Sequence, residues 1–240
     1  MTDQTSSGHP PARNRTPRPR TRTARSTGAA AQNEDGNLSR IQELNRSRLL
    51  DAALAEFSRL GFSGATLEAI AGGAGMSKSN LLYYFRSKTE IYEAVLAYIL
   101  DVWLAPLRRL DPEGDPASEL TAYIRQKLQM SADLPEASRL FANEVLQGAP
   151  RIRKVLEEDL KELVREKAGV IRHWMDKGLI RPADPVHLIF MIWAMTQHYA
   201  DFETQIRMVT GKSLEDPEFR EGAAETVCGL VLSALGLKPA

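Results

Sequence analysis

The side chains best suited to chemistry fall in two short runs. One is Ser77-Lys78-Ser79-Asn80, small and polar, directly after Gly75-Met76. Such residues at the leading end of a helix can reach base edges or phosphates in the major groove of DNA, where long apolar ones would hold the helix away. The other is Trp193, Gln197, His198, Tyr199 and Asp201, which interrupt an apolar run beginning Leu188-Ile189-Phe190-Met191-Ile192. A flat ring to stack on and an amide that both donates and accepts suit a small planar molecule, and Gln197 matches the edge of a nucleobase. The same groups could instead rim a helix–helix interface or be satisfied locally in a core; spacing alone leaves both readings open. Catalysis finds no comparable constellation. His9, His173, His187 and His198 lack metal-ligand spacing, and no phosphate-binding glycine loop is present. Cys228 lies on an apolar stripe, where a buried, inert thiol is the ordinary case. The chain is therefore expected to be no enzyme and to need no metal or cofactor.

The first run needs a scaffold, and the sequence supplies one. Thr66 can cap a short helix whose Leu67, Ile70 and Ala71 face inward, and Gly75 gives the permissive backbone of a tight turn. Met76 plugs the core behind that turn, Ser77 caps a second helix, and Leu81 and Phe85, four apart, point back inward. The pattern reads as a helix-turn-helix over residues 66–85. Gly72-Gly73 weakens its first helix by up to ~1 kcal/mol per glycine.

Helical punctuation continues along the chain. Leu49, Leu50, Ala53, Leu54, Phe57 and Leu60 recur at helical spacing before Gly61. Ser87-x-x-Glu90 has the form of a capping box, and Asp115-Pro116, Asp184-Pro185 and Asp216-Pro217 each set an N-cap acid before a proline. One helix is expected from about residue 151 to Gly178, one from Asp184 to about Met208, and a last one from about Pro217 to Leu235. No alternating strand or hairpin signal stands out, so the fold is all-α, with about nine helices.

Bulk properties agree with a soluble, cytoplasmic protein. The 240 residues are 43% hydrophobic and 26% charged, with one cysteine and no apolar run long enough to span a membrane. The formal net charge is zero, but residues 1–90 carry 13 Lys/Arg against 8 Asp/Glu and the rest is acidic by the same margin. A basic head on an acidic body suits a polyanion partner for the head. Residues 1–37, with Pro10, Pro11, Pro17, Pro19 and six arginines between Arg13 and Arg25, read as a disordered tail. A head over 38–90 and a body over 91–240 follow.

The run from Arg46 to about Leu96 also resembles the DNA-binding domain of TetR-type regulators. The features that carry the likeness are Phe57…Gly61, Thr66, Gly75-Met76-Ser77, Tyr83-Tyr84-Phe85 and Ser87-Lys88-Thr89-Glu90. The resemblance implies a three-helix head that binds double-stranded operator DNA, with Ser77, Lys78, Ser79 and Asn80 at the major groove, Tyr83 or Tyr84 and Lys88 on phosphates, and Thr66 also among the DNA-binding residues. Leu82 stands where many members have tyrosine, so one phosphate contact usual there is not implied. The body would bind a small effector and pair with a second copy through the helices after Asp184 and Pro217, the helix from Ser87 to about Arg109 acting as a lever. Three further stretches, Ile99–Leu107, Ala137–Phe141 with Gly148–Pro150, and Leu188–Phe202, resemble the branch of the family that represses pyrimidine utilisation. That likeness implies uracil or thymine as effector and a pocket from Trp103, Trp193, Gln197 and His198, with Phe141, Tyr123 and Asp201 beside them. Two alternatives stand beside this reading: the same fold sensing another metabolite or drug, and a DNA-binding protein with no effector.

Overall fold

A computed structural model describes residues 40–238. The tail expected for 1–37 lies outside the described residues.

Every described element is a helix. The head is α1 (Arg40–Gly64), α2 (Leu67–Gly73) and α3 (Lys78–Tyr84), closed by the first half of α4 (Lys88–Arg108). α1 is broken at Gly61, whose φ of 68° lies in the left-handed region, so the chain turns there without a Cβ penalty. The expected caps form. Thr66 Oγ1 accepts from Ala69 N at 3.1 Å, Ser77 Oγ from Asn80 N at 3.2 Å and Ser87 Oγ from Glu90 N at 3.1 Å. The capping box is altered in one respect: Glu90 Oε2 accepts from Arg86 N at 2.7 Å, one residue further back than a capping box reaches. Leu49, Ala53, Phe57, Ile70, Leu81, Phe85, Ile91 and Val95 are buried together as the core of the head.

The body comprises α5 (Pro116–Asp133), α6 (Pro135–Leu146), α7 (Arg153–Val155), α8 (Lys161–Asp176), α9 (Pro185–Asp201), α10 (Glu203–Thr210) and α11 (Pro217–Ala234). Asp115, Asp184 and Asp216 cap their helices with proline at the first helical position. Trp174 is fully buried and donates from Nε1 to Pro112 O at 2.9 Å, tying α8 to the loop after α4.

Two expected helices are interrupted. The one ending at Gly178 contains a π-helical segment, Leu156–Leu160, between α7 and α8. The one from Asp184 breaks at Phe202, giving α9 and α10. Arg139 of α6 spans the second break. It donates to Ala200 O at 3.4 Å, a carbonyl near the end of α9, and pairs with Glu203 at 2.9 Å on the first turn of α10. With these divisions the described residues hold eleven α-helices instead of about nine.

Candidate DNA-binding face and effector cavity

On the head, Ser77, Lys78, Ser79 and Asn80 are all exposed on the leading end of α3, while Leu81 is fully buried beneath them. Thr66 is exposed and occupied as a cap. Lys78 Nζ lies 2.6 Å from Glu68 Oε1, joining α3 to α2, and this pairing lowers the Glu68 carboxyl below its usual range. Both partners are exposed, so the pair is worth little and can be exchanged for a phosphate. Tyr83 and Tyr84 meet edge to face at 5.2 Å. Their hydroxyls accept from Gln42 Nε2 at 3.1 Å and Asn45 Nδ2 at 3.2 Å, on the first turns of α1. Those two amides, which sequence reasoning passed over, fix the trailing end of α3 against α1.

Lys88 is placed differently from the other phosphate candidates. Its ammonium donates to Ser63 O and Ala65 O at 3.3 and 2.9 Å and lies 4.8 Å from the centre of the Phe62 ring. A cation on the freed carbonyls at the end of α1 stabilises that end. Any phosphate contact by Lys88 competes with these bonds.

In the body a cavity of about 50 Å³ lies among α4, α5, α6, the π segment and α9. That is room for roughly three or four waters, or one small ring. It is lined by Trp103 with Ile99, Leu100 and Leu104 of α4, Lys127 of α5, Phe141 of α6, Leu160 of the π segment, and Trp193 and Gln197 of α9. Trp193 and Gln197 share a helix face at i, i+4. Trp193 is held by its own indole, which donates to Tyr123 Oη at 2.6 Å. Tyr123 therefore positions a wall without lining the cavity, and burial raises its phenol.

Of the seven expected pocket residues, Trp103, Phe141, Trp193 and Gln197 line the cavity; Tyr123, His198 and Asp201 do not. His198 follows Gln197 by about 100° of helical turn, is exposed, and stacks on Phe202 with ring centres 4.8 Å apart. Asp201 is one turn beyond Gln197 in a groove between α6 and α9, where Ser138 Oγ donates to its carboxylate. Burial raises the Asp201 carboxyl, opposed by Ser138, Lys127 and His198.

Lys127 is the residue that sequence reasoning missed. It is 2% exposed, and its ammonium lies 4.1 Å from the centre of the Trp103 ring. Burial pulls its pKa down to about 7, with the Asp201 charge opposing. A signal was present. Leu120, Tyr123, Ile124, Lys127, Leu128 and Ser131 make the buried stripe of α5, and a lysine on such a stripe is exceptional. Beside it, Trp103 Nε1 is buried without a hydrogen-bond partner. The cavity thus presents three aromatic residues, one ambivalent amide and one buried amine.

Comparison with known proteins bears on both sites. The profile described as "Bacterial regulatory proteins, tetR family" matches residues 49–95, and that described as "YcdC-like protein, C-terminal region" matches 96–238. The HTH-type transcriptional regulator RutR of Escherichia coli K12 is 48% identical over 204 residues, covering 85% of this chain and 95% of RutR. This chain belongs to the TetR family. A transcriptional regulator of known structure from Streptomyces coelicolor, SCO4942, is 26% identical with a TM-score of 0.65, covering 81% of this chain and 99% of the other. AibR, solved with isovaleryl coenzyme A and operator DNA, shares the fold at 18% identity and a TM-score of 0.60, over 81% of this chain and 98% of AibR. As a TetR-family member the chain is a transcriptional regulator and not an enzyme. TetR-family regulators bind operator DNA and small-molecule effectors and form dimers. No described helix is long and apolar enough to cross a membrane.

Proposed function

We propose that this chain is a cytoplasmic homodimer that represses pyrimidine-utilisation genes of nitrogen metabolism and leaves its operator on binding uracil or thymine. The 48% identity to RutR over 95% of RutR supports the branch of the family. The observation that carries the ligand is an amine and an amide set among aromatic walls: Lys127 of α5 and Gln197 of α9 line the cavity with Trp103, Phe141 and Trp193. A planar ring bearing two carbonyl oxygens and ring N–H groups supplies an acceptor to Lys127 and both functions to Gln197, while the aromatic residues offer ring faces. An acyl chain would leave Lys127 and Gln197 unmet, which argues against a fatty-acid sensor. Cytosine carries an amino group where uracil carries a carbonyl, so it would set donor against donor; a site built on such bonds rejects the mismatched analogue strongly.

On the head, Ser77, Lys78, Ser79 and Asn80 would read the major groove, and Tyr83 and Tyr84, with Thr66 at the opening of α2, would meet the backbone. In the body, α9 and α11 would pair with their counterparts in a second copy. The boundaries proposed are a head up to about residue 90 and a body beyond it, joined by α4, which carries Trp103 toward one end and Lys88 at the other.

Titration calorimetry tests the effector. Uracil should bind the wild type, and Trp103→Ala and Gln197→Ala should each weaken it at least tenfold. Unchanged affinity in both variants would remove the cavity assignment.

A further inference from the structure

The cavity touches the head by two routes, and the second is not the lever helix α4. Phe141 of α6 lines the cavity. Three residues on, Glu144 is 2% exposed and faces α4 and the turn that follows α6. There its carboxylate accepts from the backbone N of Arg151 at 2.8 Å and meets Arg151 Nη1 at 3.4 Å. It also lies against Tyr92, whose phenol is pushed up to about 12 by burial and by this neighbouring carboxylate. The turn is tight: Ala149 takes a φ of 53°, and its N–H donates to Glu144 O at 2.9 Å. A non-glycine residue in that region marks a conformation imposed by its surroundings.

The turn delivers the Arg151 guanidinium onto the head. It sits 4.0 Å from the centre of the Phe62 ring and 5.3 Å from that of Tyr92. Phe62 directly follows the break at Gly61 and stands four residues before Thr66, so its ring marks where α1 hands over to the helix-turn-helix. Tyr92 meets it edge to face at 5.1 Å, and Lys88 Nζ lies 4.8 Å from its centre. One aromatic ring is therefore shared by α4, the body and the entry to α2. α6 packs directly on the head, Ala137 and Leu140 sharing its buried core and Ser58 Oγ of α1 donating to Glu136 O at 3.4 Å. Beside this contact lies a polar cleft of about 620 Å³, lined in part by Ser58, Gly61, Ser63, Asn143 and Gln147. A shift of α6 is therefore felt by the head, with the Arg151–Phe62 contact as a defined point of engagement.

We propose that Glu144, Arg151 and Phe62 form a joint that transmits occupancy of the cavity to the DNA-binding head through α6, a positioning role distinct from binding either ligand. The proposal rests on the effector reading above. A ligand against Phe141 displaces α6, Glu144 carries Arg151 with it, and the cation slides on or off the Phe62 ring. The two arrangements of this contact then correspond to different placements of α2 and α3. Coupling of this kind is a free energy shared by both sites, so operator DNA must act back on α6 to the same extent.

The test compares wild type with Phe62→Leu, which keeps the apolar bulk and removes the ring face, and Arg151→Lys, which keeps the charge and loses the planar guanidinium. Operator affinity is measured with and without saturating uracil, and uracil affinity without DNA. In Phe62→Leu both separate affinities should stay within about threefold of wild type, while the uracil-induced fall in operator affinity should shrink at least tenfold. Arg151→Lys should fall between. A merely structural role would lower both affinities together and keep their coupling, and full coupling in Phe62→Leu would overturn the joint. Hydrogen exchange of wild-type protein with operator alone separates the two readings. Operator should slow exchange across residues 137–152; no change there overturns the joint whatever uracil does. Slowed exchange with no binding of uracil leaves the joint standing and removes uracil as effector.

Discussion

At the scale of single residues, the cavity is built around a lysine that its surroundings discourage from being charged. In the folded protein Lys127 holds its proton only to about pH 7, against an ordinary value of 10.5. Between those values the unfolded chain binds the extra proton, so Lys127 makes stability rise with pH across that window. Lys127→Met should therefore be more stable than wild type by on the order of a few kcal/mol at pH 6.5, and the gap should narrow to about 1.4 kcal/mol by pH 9.5. Denaturant titration at the two values checks this, and a gap independent of pH would contradict it. Uracil should favour the charged amine, because a carbonyl oxygen accepts more strongly from an ammonium. Its affinity should then fall above about pH 7, by at most about tenfold per unit for a single linked proton. Trp193 and Gln197 were legible as cavity-lining candidates because a ring and an amide interrupt an apolar helix, whereas Trp103 entered only through the family resemblance. Lys127 was not legible, because its long stem lets a lysine at such a position be read as snorkelling to solvent.

At the scale of elements, what the sequence disclosed was mainly its punctuation. The caps Thr66, Ser77, Ser87, Asp115, Asp184 and Asp216 all form, because an N-cap depends on residues within one turn of itself. The interruption at Phe202 was illegible, since the contacts that span it, Arg139 with Ala200 and Glu203, are distant in sequence; the π segment at Leu156–Leu160 has no comparable signal in its residues. The outward turn of His198 belongs to the same class. Polarity alone did not tell a cavity wall from an exposed face one residue further round the helix. The glycine pair of α2 separates into two cases. A Cβ at Gly73 would stand 3.3 Å from Ala52 Cβ of α1, so this glycine lets the two helices approach closely. Nothing lies within 4 Å of a Cβ at Gly72. Gly72→Ala should raise stability by up to ~1 kcal/mol, and Gly73→Ala should gain less or lose stability. Thermal unfolding of the two variants separates these outcomes; equal gains would mean that the α1–α2 contact is loose.

At the scale of the whole molecule, two helices carry faces that the single chain leaves uncovered. On α9, Phe190 and Met191 are 48% and 59% exposed, with Ala194 and His198 also exposed on the same helix. On α11, Leu230 is 60% exposed, and Gly222, Thr226 and Ser233 give small residues that let another helix come close. An apolar surface of this kind is characteristic of an interface. These are the helices expected to pair, and pairing through them would set two copies of α3 for half-sites about one helical turn apart. Met191→Glu combined with Leu230→Glu should yield a monomer by sedimentation. That monomer should keep its helical content and bind operator at least a hundredfold more weakly, and a double variant that remains dimeric would place the interface elsewhere.

A pyrimidine ring in the Trp103–Lys127–Gln197 cavity should release the protein from DNA. Fluorescence anisotropy of a labelled promoter fragment bound by the full-length protein, titrated with uracil, thymine and cytosine at fixed salt, measures this release. Uracil or thymine should release the DNA and cytosine should not, with Trp103→Ala holding DNA at uracil concentrations that free the wild type. Specific binding that no pyrimidine disturbs, or release by cytosine as readily as by uracil, would contradict it.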